Sequence, residues 1–172
     1  PPYSLGEEEM IQFSRIVDID EYRPLIGDEA VHCIVRKARR LRDLRVLHIS
    51  STFYGGGVAE MLSSATLLER NLSVRSDWRL IQGGPEFFNI TKKLHNALQG
   101  ASINLSSAKK EIYEEIAFNN AMRMDLDADL VVVHDPQPLP LIRHYRRTCP
   151  WVWRCHVDLS HPDPETWAYL ET

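Results

Sequence analysis

Leu44-Arg-Val-Leu-His-Ile49, then Ser50-Ser-Thr-Phe-Tyr54, then Gly55-Gly56-Gly57 is the stretch that decides the fold. The apolar run has the length of a strand and ends in turn residues. Beyond the glycines, Val58, Met61, Leu62, Ala65 and Leu68 recur at helical spacing. A strand, a glycine-rich turn and an amphipathic helix together open a Rossmann-like unit.

The same alternation continues towards the C-terminus. Val74 to Ile81 predicts a second strand, closed by Gly83-Gly84-Pro85. Helical patterns over Phe87–Gln99 and Ala108–Met122 follow, with Gly100 as the C-terminal stop of the first. Asp129-Leu-Val-Val-Val133 is a β-branched run of the kind that is buried on both faces. Two prolines in His134-Asp-Pro-Gln-Pro138 force a loop, and a helix is expected from Leu139 to Arg147. Trp151 to Cys155 predicts a strand, His156 to Ser160 a loop, and Pro164 the start of a helix. Strands alternating with helices specify an α/β fold: a Rossmann-like parallel sheet with helices on both faces.

Upstream, residues 1–43 read as a lead-in segment and residues 44–172 as the Rossmann-like lobe. Asp18-Ile-Asp-Glu21 is placed to cap a short helix that Pro24 limits and Gly27 interrupts. A longer helix then runs from Asp28 to Arg42, with Val31, Ile34, Ala38 and Leu41 as its apolar stripe.

The chain has 172 residues, enough for one α/β domain and too few for two full lobes. With 44% hydrophobic and 26% charged residues its composition is that of a globular domain. The net charge is −4, and the densest basic cluster, Arg36-Lys-Ala-Arg-Arg40, reads as a solvated helix face, which argues against a nucleic-acid partner. Three cysteines, Cys33, Cys149 and Cys155, form no CxxC pair and suit a reducing cytoplasm. No apolar run approaches the roughly 20 residues of a membrane span, so no membrane partner is expected.

In an open parallel sheet ligands bind beyond the carboxyl ends of the strands. Three loops of that kind carry chemistry: Gly55–Gly57, His134–Gln137 and His156–Asp158. Three glycines at a helix start let backbone N–H groups approach an anion, and they equally permit a tight turn with positive φ. The spacing is neither GxGxxG nor a Walker A loop, which disfavours a nicotinamide or ATP cofactor. His134, Asp135, His156 and Asp158 have groups that could bind adjacent sugar hydroxyls; gathering round one metal ion is the rival reading. Asn89, Lys92, His95, Asn96 and Gln99 share one polar helical stripe, readable as a sugar-facing surface or as a solvated face. Arg154 is a candidate phosphate contact or a core salt-bridge partner, and Trp151 and Trp153 read as packing.

Four separated blocks give these residues a common context: HISSTFYGGGVAEML (48–62), EFFNITKKLHNALQG (86–100), VVVHDPQPLPLI (131–142) and WVWRCHVDLSHP (151–162). In that order they resemble the N-terminal domain of the trehalose glycosyltransferring synthases, with the trehalose phosphorylases of the same GT-B superfamily similar as well. The resemblance implies the N-terminal, acceptor-side lobe of a retaining glycosyltransferase that joins glucose from a nucleotide-diphosphate glucose to free glucose. It requires no cofactor. It places Gly55, Gly56 and Gly57 beside the diphosphate. Asn89, Lys92, His95, Asn96, Gln99, His134, Asp135 and Gln137 then surround the acceptor, glucose or trehalose. His156 and Asp158 come nearest the reacting carbon, with Arg154 behind. The family's Glu-x7-Glu donor signature is matched only by Glu21 and Glu29, which precede the first core strand and enclose Pro24 and Gly27, a chance match. Hence the expectation that the donor lobe lies outside these 172 residues and that they are inactive alone. A stand-alone sugar-binding module and a phosphorylase half remain alternatives. Apolar surface left by an absent lobe also makes a homo-oligomer one of the expected states.

Overall fold

A computed structural model describes residues 18–146 and 148–171. Four parallel strands, β1 (Arg45–Ser50), β2 (Arg75–Leu80), β3 (Leu130–His134) and β4 (Trp151–Arg154), form one sheet in the order β2-β1-β3-β4. The helices are α1 (Arg23–Ala38), α2 (Gly57–Asn71), α3 (Pro85–Leu98), α4 (Ser107–Arg123), α5 (Leu141–His144) and α6 (Pro164–Leu170). The α/β reading holds, and strand limits agree with the sequence pattern to within about a residue. Residues 1–17 of the expected lead-in, Arg147 and Thr172 lie outside the described residues.

Alternation along the strands builds the two faces. Leu47 and Ile49 of β1 and Val131 and Val133 of β3 point into one buried cluster with Phe87, Ile90, Leu94 and Leu98 of α3, Tyr113 of α4 and Leu170 of α6. Each of these large side chains contributes about 1.5–3 kcal/mol on burial. The apolar i, i+3, i+7 and i+11 positions of α3 are what the sequence stripe predicts. His48 points to the opposite face, where its ring meets Glu69 of α2, so helices cover both faces of the sheet.

Three differences from the sequence reading have physical causes. The strand buried on both faces is β1 and not its interior neighbour β3, whose Leu130 and Val132 are only half-buried. On that same face of β4 Val152 is 47% exposed, so the cover that α2 gives β1 does not extend so far. Helix α5 spans four residues in place of the expected nine. Pro138 and Pro140 lack an N–H, and its turn is built on short bonds from Leu141 N to Pro138 O and from Arg143 N to Pro140 O before Tyr145 turns extended. In α1 the predicted interruption is present as a kink at Gly27, with φ 80°, but the regular helix closes at Ala38 and Leu41 is exposed.

Gly100 joins two distant parts of the chain. Its φ is 95°, and a Cβ there would lie 2.9 Å from the carbonyl oxygen of His161. Asp163 N donates to Ala97 O at 2.8 Å beside it. Gly100→Ala is therefore expected to destabilise the chain by about 2 kcal/mol, a fall of roughly 4–8 °C in melting temperature at this size. Gly57→Ala, with open space around its Cβ in the first turn of α2, is the control and leaves the melting temperature unchanged or slightly raised. Thermal unfolding of both variants checks the pair.

Candidate functional site

The chain runs from β1 to β2 on one side and then crosses to β3 on the other, so the strand order reverses between β1 and β3. A crevice opens at such a reversal, outside the carboxyl ends of the strands. His134 closes β3 at that point, and Asp135 follows in the left-handed region with φ 62°. Aspartate tolerates this conformation better than most residues. Every backbone group of Asp135 able to hydrogen-bond is used: its N–H donates to Arg154 O at 3.0 Å, and its carbonyl accepts from Trp153 Nε1 at 3.0 Å. Its Oδ1 accepts from the backbone N–H of His156 at 2.8 Å. The loop after β3 is thereby fixed to the end of β4. The buried Tyr113 hydroxyl secures the next residue by donating to Pro136 O.

A line of titratable groups passes beneath this junction. Glu69 Oε2 lies 3.0 Å from His48 Nε2, His48 Nδ1 lies 3.0 Å from His134 Nε2, and His134 Nδ1 lies 2.8 Å from His156 Nε2. His134 and His156 are nearly coplanar, 17° apart with centroids 5.1 Å apart, so the rings meet edge to edge. His134 is 1% exposed and His48 6%, whereas Glu69 and His156 at the two ends are half-buried. Burial, reinforced by the neighbouring imidazoles and Arg154, pushes the pKa of His134 down to about 3, so it is neutral. Burial lowers His156 too, with Asp135 opposing and Arg154 reinforcing the shift. At the far end burial resists ionisation of Glu69, but the hydrogen bond from His48 holds its carboxyl below the ordinary glutamate value.

The sequence-selected residues fall into three groups. His134, Asp135 and His156 come together, with Arg154 alongside. Arg154 is exposed and forms no ion pair among the described residues, which removes the core salt-bridge reading. Gln137 lies in the same loop, and its Oε1 is buried with no hydrogen-bond partner among the described residues. Asp158 is exposed, and the bonds it makes are to Ser160 N at 2.9 Å and Ser160 Oγ at 2.5 Å; these hold its pKa below the usual carboxylate value. Both ring nitrogens of His134 are taken by imidazoles, which deprives the metal reading of a ligand.

Gly55 and Gly56 adopt φ 73° and 86°, and Gly57 begins α2 with no side chain capping the helix. Tyr54 beside them is 87% exposed, presented by a turn in which Thr52 Oγ1 bonds both its N–H and its carbonyl. Along α3, Asn89, Lys92, Asn96 and Gln99 are exposed and His95 is half-buried. The His95–Gln99 end reaches the loop after β4 through the Ala97–Asp163 bond.

Two members of the histidine line, His48 and Glu69, are not among the residues selected from sequence. The signal was present: Ala59, Leu62 and Thr66 are the buried residues of α2, and Glu69 continues that stripe. A hollow of about 490 Å³ between Phe53, Trp78, Arg79, Asn119 and Arg123 lies on the β2 side, and Glu69, His48, His134 and His156 do not line it.

Residues 48–172 match the family model for the trehalose synthase N-terminal domain. The chain is 47% identical over 154 residues to the trehalose synthase of Thermococcus litoralis, an overlap of 88% of this chain and 37% of that protein. It is 40% identical over 157 residues to the trehalose synthase of Rubrobacter xylanophilus, covering 87% and 38%. With the trehalose phosphorylase of Grifola frondosa the identity is 31% over 179 residues, covering 90% and 24%. The chain belongs to the trehalose synthase N-terminal domain family, and it spans little more than a third of the synthases it matches.

The low pKa of His134 sets a sign for acid stability. Its folded value of about 3 lies below the ordinary 6.5, so the unfolded chain takes up the proton first. The stabilisation is complete above pH 6.5 and is lost as pH falls towards 3, at most about 1.4 kcal/mol per pH unit for the one proton. Urea unfolding midpoints are expected to fall between pH 7.5 and 5.5, and to fall less steeply in His134→Gln.

Proposed function

We propose that this chain is the acceptor-side, sugar-binding lobe of a retaining glycosyltransferase that forms trehalose from a nucleotide-diphosphate glucose and glucose. The observation that carries the reading is the family match over residues 48–172, together with the meeting of His134, Asp135 and His156 at the reversal of strand order. The higher identity to the synthases, 47% against 31% for the phosphorylases, favours a nucleotide sugar over glucose 1-phosphate as donor.

In this reading the acceptor glucose lies over the carboxyl ends of β3 and β4. Asp135 has Oδ1 committed to His156, so Oδ2 is the atom that accepts from sugar hydroxyls. Gln137, whose Oε1 has no hydrogen-bond partner among the described residues, is a second contact in the same loop. The Asn89, Lys92, His95, Asn96 and Gln99 face of α3 borders the same space, joined to it through Ala97 and Asp163. Gly55–Gly57 supply an uncapped helix N-terminus, whose partial positive charge suits the diphosphate. His156 and Asp158 stand nearest the reacting carbon, and Arg154 adds positive charge next to them. The nucleotide sugar is held mainly by residues beyond these 172. Orientation of two substrates in a cleft supplies much of the rate of such a reaction, so this lobe alone transfers little or no glucose.

Titration calorimetry of the 172-residue chain with glucose, trehalose and a nucleotide-diphosphate glucose tests the assignment. Binding of glucose or trehalose is expected, weakened about tenfold or more in Asp135→Asn, which loses a charge-assisted hydrogen bond but keeps an oxygen for the His156 N–H. Equal sugar binding by Asp135→Asn would overturn the placement. Incubation of the pure chain with donor and glucose is expected to give no appreciable trehalose, and brisk synthesis would refute the division between lobes.

A further inference from the structure

The line Glu69–His48–His134–His156 connects a half-exposed carboxylate on α2 to a half-exposed imidazole after β4, through two buried rings. Hydrogen-bond bookkeeping allows it very few states. A carboxylate only accepts, so His48 donates to Glu69 from Nε2. If His48 is neutral, its Nδ1 is bare and must accept from Nε2–H of His134. The Nδ1 of His134 is then bare and must accept from Nε2–H of His156. That leaves Nδ1 of His156 without a proton. If His48 is cationic, every hydrogen bond beyond it reverses: His48 donates from Nδ1, His134 donates from Nδ1, and His156 accepts at Nε2 and carries its proton on Nδ1.

We propose that Glu69 and His48 are positioning residues that act on the cleft through His134. They fix which nitrogen of His156 bears its proton, so that His156 offers a bare Nδ1 when the line is neutral and an Nδ1–H when the line holds one extra proton. The interconversion is balanced. A proton arriving at Nδ1 of His156 releases the Nε2 proton of that ring to Nδ1 of His134. His134 releases its own Nε2 proton to Nδ1 of His48. The charge then rests on the His48 imidazolium beside the Glu69 carboxylate, and neither of the other two rings retains it. The surroundings favour this end state: Arg154 of β4 stands near both His134 and His156, whereas Glu69 of α2 is bonded to His48. Asp135, in the loop after β3, is the carboxylate that acts on His156 among the described residues, and its Oδ1 is bonded to the backbone N–H of that residue.

The consequence in the cleft is a change of hydrogen-bonding sense at one atom. A bare Nδ1 accepts from a sugar hydroxyl; an Nδ1–H donates to a sugar or phosphate oxygen. By linkage, a ligand that prefers one sense shifts proton occupancy at His48, which it does not touch. Placing His156 in the substrate cleft rests on the sugar-lobe reading above; the relay itself does not.

The test is ring-nitrogen NMR of the 172-residue chain labelled with 15N-histidine, followed by pH titration, with signals assigned by single histidine replacements. At high pH His48, His134 and His156 are each expected as the neutral Nε2–H form. On acidification His48 is expected to become cationic while His156 changes to Nδ1–H at the same midpoint. A His156 that itself becomes cationic, or that titrates independently of His48, overturns the relay. So does a neutral Nδ1–H form of His156 at high pH. In Glu69→Ala the line loses its anchor, and His156 is expected to lose its single-tautomer pattern; an unchanged pattern in that variant also overturns the proposal. Coupled titration without any glucose or trehalose binding would count against the sugar-lobe reading alone and would support the relay.

Discussion

The conformation of Asp135 is the constraint on which the carboxyl edge of the sheet depends. A left-handed backbone costs a non-glycine residue about 1–2 kcal/mol. Against that cost stand three hydrogen bonds, to Arg154 O, from Trp153 Nε1 and from His156 N, each worth about 0.5–1.5 kcal/mol net. The balance holds the strained residue in place, and with it the separation of the β3 and β4 loops. If Asp135 relaxed to an extended backbone, His134 and His156 would lose their 2.8 Å contact and the line of imidazoles would end inside the lobe. Strain stored at one position is thus tied to the geometry of the whole site.

Burial of histidines beneath that edge is tolerable because the rings satisfy one another. An unpaired ring nitrogen in an apolar interior would cost roughly 1–3 kcal/mol. Here each buried nitrogen of His48 and His134 has a partner at 3.0 Å or less, and the series ends on a carboxylate at one side and at the half-exposed edge of His156 at the other. The apolar cluster on the other face of the sheet does the opposite work. It holds the strands in register through Leu47, Ile49, Val131 and Val133 and leaves the face towards α2 free for polar chemistry.

Much of this was legible in the sequence because the relevant signals are local. The strand length of Leu44–Ile49, the helical spacing after Gly57 and the glycine at the end of α3 each specify an element without knowledge of its neighbours. The role of Gly100 could be read as a helix stop, whereas its close approach to His161 could not. In the site, His134, Asp135 and His156 stand out because they follow apolar runs where parallel sheets place their ligands. His48 sits inside such a run and resembles a tolerated core histidine, and Glu69 resembles an ordinary charge near the end of a surface helix. Their significance lies in a contact across 21 residues and another across 86, which no periodicity reports. Helix α5 was overextended for a related reason: apolar spacing after Leu139 outweighed two prolines that restrict the turn.

Gly100 and Asp163 have a mechanical meaning beyond stability. With a carbonyl seated where a side chain would be, and a 2.8 Å bond one turn away, the end of α3 and the chain after β4 have no slack between them. The loop that carries His156 cannot lift without drawing the last turn of the helix along. A displacement of either segment is therefore resisted by the other, so the last turn of α3 and the chain leaving the imidazole edge are coupled as one body.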